Sequence, residues 1–136
     1  MKSWILYAAA VAAVMAVAAV YTAFADSGGQ NVRNIEFLAS YGWETGGRYI
    51  EKEKVTLPEN LDAVYENYNR LQKEAGLDIE PYLGQECVRY TYEVKNYPDK
   101  SETGVRANLL CCGEVIIAGD IMTTRLDGFM ISLAGS

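Results

Sequence analysis

Three cysteines, at positions 87, 111 and 112, and two carboxylates, Asp120 and Asp127, are the side chains of this 136-residue chain whose types and spacing could do chemistry. The cysteines lack the C-x-x-C spacing of a chelating or redox motif, so no metal ligand set is expected from them. Cys111 and Cys112 are adjacent on a strand-like stretch and point to opposite faces. Cys111 takes the core side as a small apolar residue, while Cys112 shares the outer side with Cys87 at a diagonal offset. A slip of two residues would set Cys87 directly against Cys112, which leaves two alternatives, three unlinked thiols or a Cys87–Cys112 disulfide. A catalytic thiol has little support, because the chain has no His and no cationic group is evident beside the cysteines to hold a thiolate.

The absence of His also removes serine-type triads, Cys–His pairs and His-containing zinc sites. Acid–base chemistry then falls to carboxylates. Asp120 and Asp127 flank an apolar strand end with Gly119 and Gly128 beside them, and a buried pair whose pKa values were split would suit a small hydrolase. The competing reading is structural: Asp127-Gly128 is a common turn dipeptide, and Asp120 can satisfy backbone donors where a strand ends. Both remain candidates for ligand contact. Gly28-Gly29 and Gly46-Gly47 lack the strand–loop–helix setting of a phosphate loop, and no cofactor is implied. Tyrosine is abundant. Tyr65, Tyr68, Tyr90 and Tyr92 fit a core stripe, whereas Tyr41, Trp43, Tyr82 and Tyr97 fall at element ends or in loops and are candidate binding contacts.

These residues must be positioned by a small number of elements. Val32, Ile35, Leu38 and Ala39 recur at helical spacing, with Asn31 as N-cap and Gly42 as stop, which predicts a first helix of about ten residues. Tyr49 to Leu57 reads as a strand, and the mixed charges Glu51, Lys52, Glu53 and Lys54 suit an edge that resists pairing. Pro58 opens a second helix whose stripe is Leu61, Val64, Tyr65, Tyr68, Leu71 and Ala75, ended by Gly76, with Glu59, Asp62, Glu66, Asn69, Arg70 and Lys73 outward. Glu66 and Arg70 form an i, i+4 pair on that outer side. Residues 87–95 alternate strictly, and the strands 105–112 and 114–123 follow a turn-rich loop. Pairing Asn96 with Val105 places Val88, Tyr90, Tyr92 and Val94 on one face with Val105, Ala107, Leu109 and Cys111. Val115 to Ile117 is apolar on consecutive residues, so Leu126 to Leu133 or a partner must cover its second face. The expectation is an α+β domain: an antiparallel sheet of about four strands, the last three a meander, with two helices packed on one face.

Residues 1–25 stand apart. Trp4 to Phe24 is an uncharged apolar run of 21 residues, about 31 Å long as a helix, which matches the hydrocarbon thickness of a bilayer. Ala23-Phe24-Ala25 before Asp26 also has the small-x-small form of a signal cleavage site, so an uncleaved anchor and a chain secreted after cleavage following Ala25 are both open. Lys2 before the run and Asp26 after it orient the rest outside the cytoplasm. Residues 26–31 read as a polar linker and residues 32–136 as the extracytoplasmic domain. Beyond residue 25 there are eleven basic and eighteen acidic groups, a net charge of −7, which lacks the basic footprint that phosphate contacts demand. Nucleic acid is therefore not an expected partner.

The segments Ser40-Tyr41-Gly42-Trp43, Val64-Tyr65-Glu66-Asn67-Tyr68-Asn69, Leu71-Gln72-Lys73-Glu74, Val88-Arg89-Tyr90-Thr91-Tyr92-Glu93-Val94, Asn96-Tyr97-Pro98, Val105-Arg106-Ala107-Asn108 and Leu126-Asp127-Gly128-Phe129-Met130 together resemble a bacterial family, domain of unknown function 4830, over roughly residues 34–130. The resemblance implies a small exported or membrane-tethered domain, often of Gram-positive anaerobes, and brings no activity, cofactor or catalytic residue. Cys111-Cys112 and Ala134-Gly135-Ser136 depart from its pattern. The functional expectation is a non-enzymatic envelope module, held to the membrane through residues 4–24, that binds a peptide, protein or envelope component through its sheet edge or exposed tyrosines. The alternatives are the carboxylate-dependent hydrolase and a purely structural envelope protein.

Overall fold

A computed structural model describes residues 29–135. The apolar run Trp4–Phe24 and the junction after Ala25 lie outside the described residues, among which no helix is long and apolar enough to cross a membrane. The chain order is α1 (Gln30–Ser40), β1 (Glu51–Thr56), α2 (Ala63–Glu74), a 3-10 turn (Glu80–Tyr82), β2 (Glu86–Glu93), β3 (Val105–Cys112), β4 (Val115–Thr123) and β5 (Met130–Ile131). Both helices begin later or earlier than their punctuation suggested. Helix α1 starts two residues before Val32, at a Gly29 cap with φ +73° that only glycine adopts readily, so Asn31 is not its N-cap and Gln30 does not belong to a linker. Gln30 is instead 4% exposed and donates through Nε2 to Asn34 Oδ1 at 2.8 Å. Helix α2 starts beyond Pro58, where Asp62 accepts the Tyr65 N–H at 2.9 Å and caps the first turn. Arg70 pairs with Glu74 at 3.7 Å rather than with Glu66.

The five strands form one antiparallel sheet in the order β1-β2-β3-β4-β5, a continuous meander with β1 and β5 at its edges. The fifth strand, absent from the sequence reading, is only two residues long and pairs Ile121 with Ile131 and Met122 with Met130. The β2–β3 register sets Val88 against Cys111, Tyr90 against Leu109 and Tyr92 against Ala107, two residues away from the expected alignment. A two-residue slip preserves the side-chain parity, so the expected shared face survives it. A bulge at Leu110/Cys111 explains the apolar run in β4: Ile116 joins the α1 side, while Ile117 and Ala118 both join the α2 side. Leu133 is fully buried over that sheet, whereas Leu126 is 93% exposed at a turn and covers nothing.

The helices do not share a face. Leu38 of α1 is buried with Tyr90, Tyr92, Ala107, Leu109, Cys111 and Ile121. Tyr65, Tyr68 and Leu71 of α2 are buried with Val55, Cys87, Leu110, Cys112 and Ile117 on the other side. The architecture is therefore three layers, helix, sheet and helix. The alternating polar residues of β2 had suggested a solvated side, which Glu93 keeps, but Arg89 pairs with Glu53 of β1 and the buried Thr91 donates to Asn108 of β3. Asn69, expected on the outer side of α2, is likewise 3% exposed, accepting the Ile79 N–H and donating to Asp78, both at 2.8 Å.

The observed register brings Cys87 and Cys112 together, with Cα atoms 4.5 Å apart, and they form a disulfide across a separation of 25 residues. Cys111 is the free and buried thiol, and burial pushes it up to about 12, which keeps it protonated. Closing a loop of this size restricts the unfolded chain by about 3 kcal/mol. Replacing Cys87 and Cys112 together with Ala is expected to lower the unfolding free energy in urea by about 3 kcal/mol; a loss below about 1 kcal/mol would show that the bond adds little to the register.

Candidate functional site

A polar row crosses the middle of the sheet on the α2 side. The registers align Thr91 of β2, Asn108 of β3 and Asp120 of β4, and α2 closes over them with Tyr68 and Gln72. Thr91 Oγ1 donates to Asn108 Oδ1 at 2.7 Å, Asn108 Nδ2 donates to Asp120 Oδ1 at 3.0 Å, and Tyr68 OH donates to Asp120 Oδ2 at 3.4 Å. Gln72 spans the same seam one turn on, accepting the Gly119 N–H at 2.7 Å and donating to the Tyr68 carbonyl at 3.3 Å. Gly119 is required there by space, since a Cβ would sit 2.7 Å from Leu133 Cδ1 and 2.8 Å from the Asn108 carbonyl oxygen. On the flanking row, Arg89 pairs with Glu53 and lies 3.8 Å from Glu51.

Burial dominates the electrostatics of this row. Asp120 is 1% exposed, and desolvation pushes it up to about 6 against the opposing pull of the Asn108 bond, the Arg89 charge and the Tyr68 bond. Tyr68 is driven well above its ordinary value by burial and then by the neighbouring Asp120 charge. The row can hold a proton on Asp120 in mildly acidic conditions, but its acceptors and donors face one another rather than a cavity. Asp127 is elsewhere. It lies exposed in the turn after β4, 3.9 Å from Arg125, so the structure does not bring the two carboxylates together.

Three of the four aromatic candidates are gathered, and Tyr82 is not among them. Trp43 stacks on Tyr97 with ring centroids 6.1 Å apart, and Tyr97 stacks on Phe129 at 5.2 Å. Tyr41 meets Phe37 edge-on at 5.4 Å. Their polar tips are used inside the molecule: Trp43 Nε1 donates to the Leu133 carbonyl at 2.7 Å and Tyr41 OH donates to the Ala75 carbonyl at 2.6 Å. These rings tie the chain between α1 and β1 to the sheet end and the C-terminal segment, and all three are half-buried. Tyr82 packs instead against the core on the α2 side of the sheet. Phe37 and Phe129, which complete the aromatic group, carried no spacing signal that set them apart from ordinary core residues. Beside Tyr97 an open cleft of about 340 Å³ is lined by groups of both signs, among them Glu93, Lys95, Lys100, Glu102 and Arg106. Among the described residues no three His, Cys, Asp or Glu side chains cluster to hold a metal ion.

Sheet, flanking helices and disulfide define a three-layer α+β domain of single-meander topology. The chain belongs to the family described as Domain of unknown function (DUF4830), whose model matches residues 37–121, more than half of the chain. Comparison with curated proteins and with solved structures finds no match.

Because the folded value of Asp120 lies above its ordinary 3.8, this group's contribution to stability is complete below about pH 4 and is lost as pH rises towards 6. Asp120→Asn keeps the shape of the row and removes the charge. Relative to the parent, the variant is expected to gain about 1–3 kcal/mol above pH 6 and nothing at pH 4, read from urea titrations at both values. A pH-independent difference between the two proteins would contradict the burial of a titrating carboxylate.

Proposed function

We propose that the chain is a membrane-tethered extracytoplasmic module that binds an extended segment of a peptide or protein by strand addition at β1. The observation that carries this reading is the outer edge of β1. Leu57 N–H bonds to the Gln85 carbonyl, and the two-residue alternation of an antiparallel ladder then turns the N–H and C=O groups of Thr56 away from β2. Such an edge is a ready template for another strand. The aromatic alternatives are weaker, because Tyr41 and Trp43 spend their polar tips within the fold.

The charges of β1 favour a foreign strand over a second copy. Two copies paired about a two-fold perpendicular to the sheet set residues of equal parity against each other. Registers centred on residue 52 or 53 therefore bring Glu against Glu or Lys against Lys. Location is supported by the 21-residue apolar run, by Lys2 ahead of it and by the Cys87–Cys112 bond, a linkage that persists in oxidising compartments. Amide hydrogen exchange of the full chain in native envelope membranes, compared with the purified full chain in detergent, tests the binding mode. The amide of Thr56 is expected to slow by about tenfold or more in the envelope, and Lys54→Pro is expected to abolish that slowing with the disulfide still formed. Equal rates in both settings would leave only a structural role.

A further inference from the structure

Residues 96–104, in the segment between β2 and β3, wall the cleft beside Tyr97, and this wall is held along its length. Asn96 donates to the Gly42 carbonyl and accepts the Glu44 N–H, both at 2.9 Å. The Asp99 carboxylate accepts the Ser101 N–H at 3.0 Å and the Ser101 hydroxyl at 2.6 Å. Both oxygens of Glu102 accept from Arg125 Nη2, at 3.0 and 2.7 Å. The Gly104 carbonyl accepts the Thr124 N–H at 3.0 Å, and a Cβ on Gly104 would strike Thr124 Oγ1. The concavity is therefore preformed, and its volume of about 340 Å³ has room for an amino acid or a dipeptide.

The carboxylates of this cleft already have partners: Glu93 takes Lys95, Asp99 takes Ser101 and Glu102 takes Arg125. The donors do not. Arg106 stands directly across from Glu93 in the β2–β3 register, and its charge acts on Glu93 less than that of Lys95 does. Among the described residues its guanidinium has one bonded acceptor, the Val105 carbonyl at 3.3 Å, and the Lys100 ammonium has none. Burial, and after it the charges of Glu102 and Asp99, push the Tyr97 phenol up, so its O–H stays a donor. A guanidinium, an ammonium and a phenol thus line one cleft with N–H and O–H groups still to be satisfied.

We propose that the cleft binds a small zwitterion, an amino acid or a dipeptide with both ends free, whose carboxylate lies on Arg106, Lys100 and Tyr97. The planar fork of a guanidinium matches the two oxygens of a carboxylate. Charge decides against a bare anion. The cleft is lined by three cations, Lys95, Lys100 and Arg106, and three carboxylates, Glu93, Asp99 and Glu102, and the flanking Arg125, Glu44 and Asp127 add no positive excess. A phosphate dianion would meet those carboxylates without compensation, whereas the ammonium of a zwitterion is attracted by them. The site is separate from the β1 edge and does not depend on strand addition there.

The test is a nitrogen–proton NMR titration of the full chain in detergent with two probes, an equimolar mixture of neutral amino acids and an equimolar mixture of neutral dipeptides. At about 10 mM, one of these is expected to shift the Arg106 Nε and Gly104 amide signals while the Thr56 amide of the β1 edge stays in place. Which mixture acts tells an amino acid from a dipeptide. The same mixture blocked by C-terminal amidation, or by N-terminal acetylation, is expected to need at least about tenfold higher concentration for an equal shift. R106Q is expected to weaken the response about tenfold, and R106K, which keeps the charge without the fork, about threefold. The blocked mixtures need no substitution, so the result does not depend on a variant folding. No response to either free mixture, an equal response to a blocked one, or an R106Q protein that responds like the parent overturns the proposal.

Discussion

The register between β2 and β3 is the constraint on which the rest of the molecule depends. It decides that Cys87 meets Cys112, that Thr91 meets Asn108, and that Tyr90 and Tyr92 face Leu109 and Ala107 beneath α1. A slip of one residue would send every one of these side chains to the wrong layer. A slip of two would keep the layers but part the cysteines and break the bond between Thr91 and Asn108. The disulfide and the polar row therefore specify the alignment that apolar alternation alone leaves degenerate.

Once that alignment is set, both faces of the sheet must be covered, because each carries large buried side chains. Helix α1 covers one with Leu38 and anchors through Asn34, whose Nδ2 donates to Tyr92 OH at 3.3 Å. Helix α2 covers the other with Tyr65, Tyr68 and Leu71, and Gln72 reaches across to the backbone of β4. This division has a functional consequence. The chemically suggestive groups, Asp120 and Cys111, are closed inside the layers, and the aromatic rings near the chain ends are spent on joining α1 to the sheet. What the fold leaves at the margin of the sheet is the β1 edge.

Much of this was legible in the sequence, and the failures have identifiable causes. The period-two alternation of residues 87–95, the stripe from Val64 to Leu71 and the mixed charges of Glu51 to Lys54 specified a strand, a helix and an edge correctly. The one-face arrangement failed because Arg89 and Thr91 look solvent-facing in isolation, and only their partners Glu53 and Asn108 make them tolerable inside. The same blindness hid Asn69 and Gln30, whose burial depends on hydrogen bonds to distant residues or to a helix turn not yet placed. The loop alignment missed by two residues because a loop of uncertain closure offers no way to choose between registers of equal parity. Asp120 and Asp127 lie seven positions apart in the chain, yet the turn after β4 carries one into solvent while the other stays under α2.

A specific register and an oxidising location meet in the native thiol state of the chain, which tests both at once. Mass-tag alkylation of the denatured full chain, taken directly from its cells under conditions that block exchange, counts free cysteines before and after reduction. One reactive thiol, Cys111, before reduction and three afterwards, with Cys87 and Cys112 joined in the peptide map, is the result expected from a domain folded in this register outside the reducing cytosol. Three free thiols in the unreduced native chain would contradict the account.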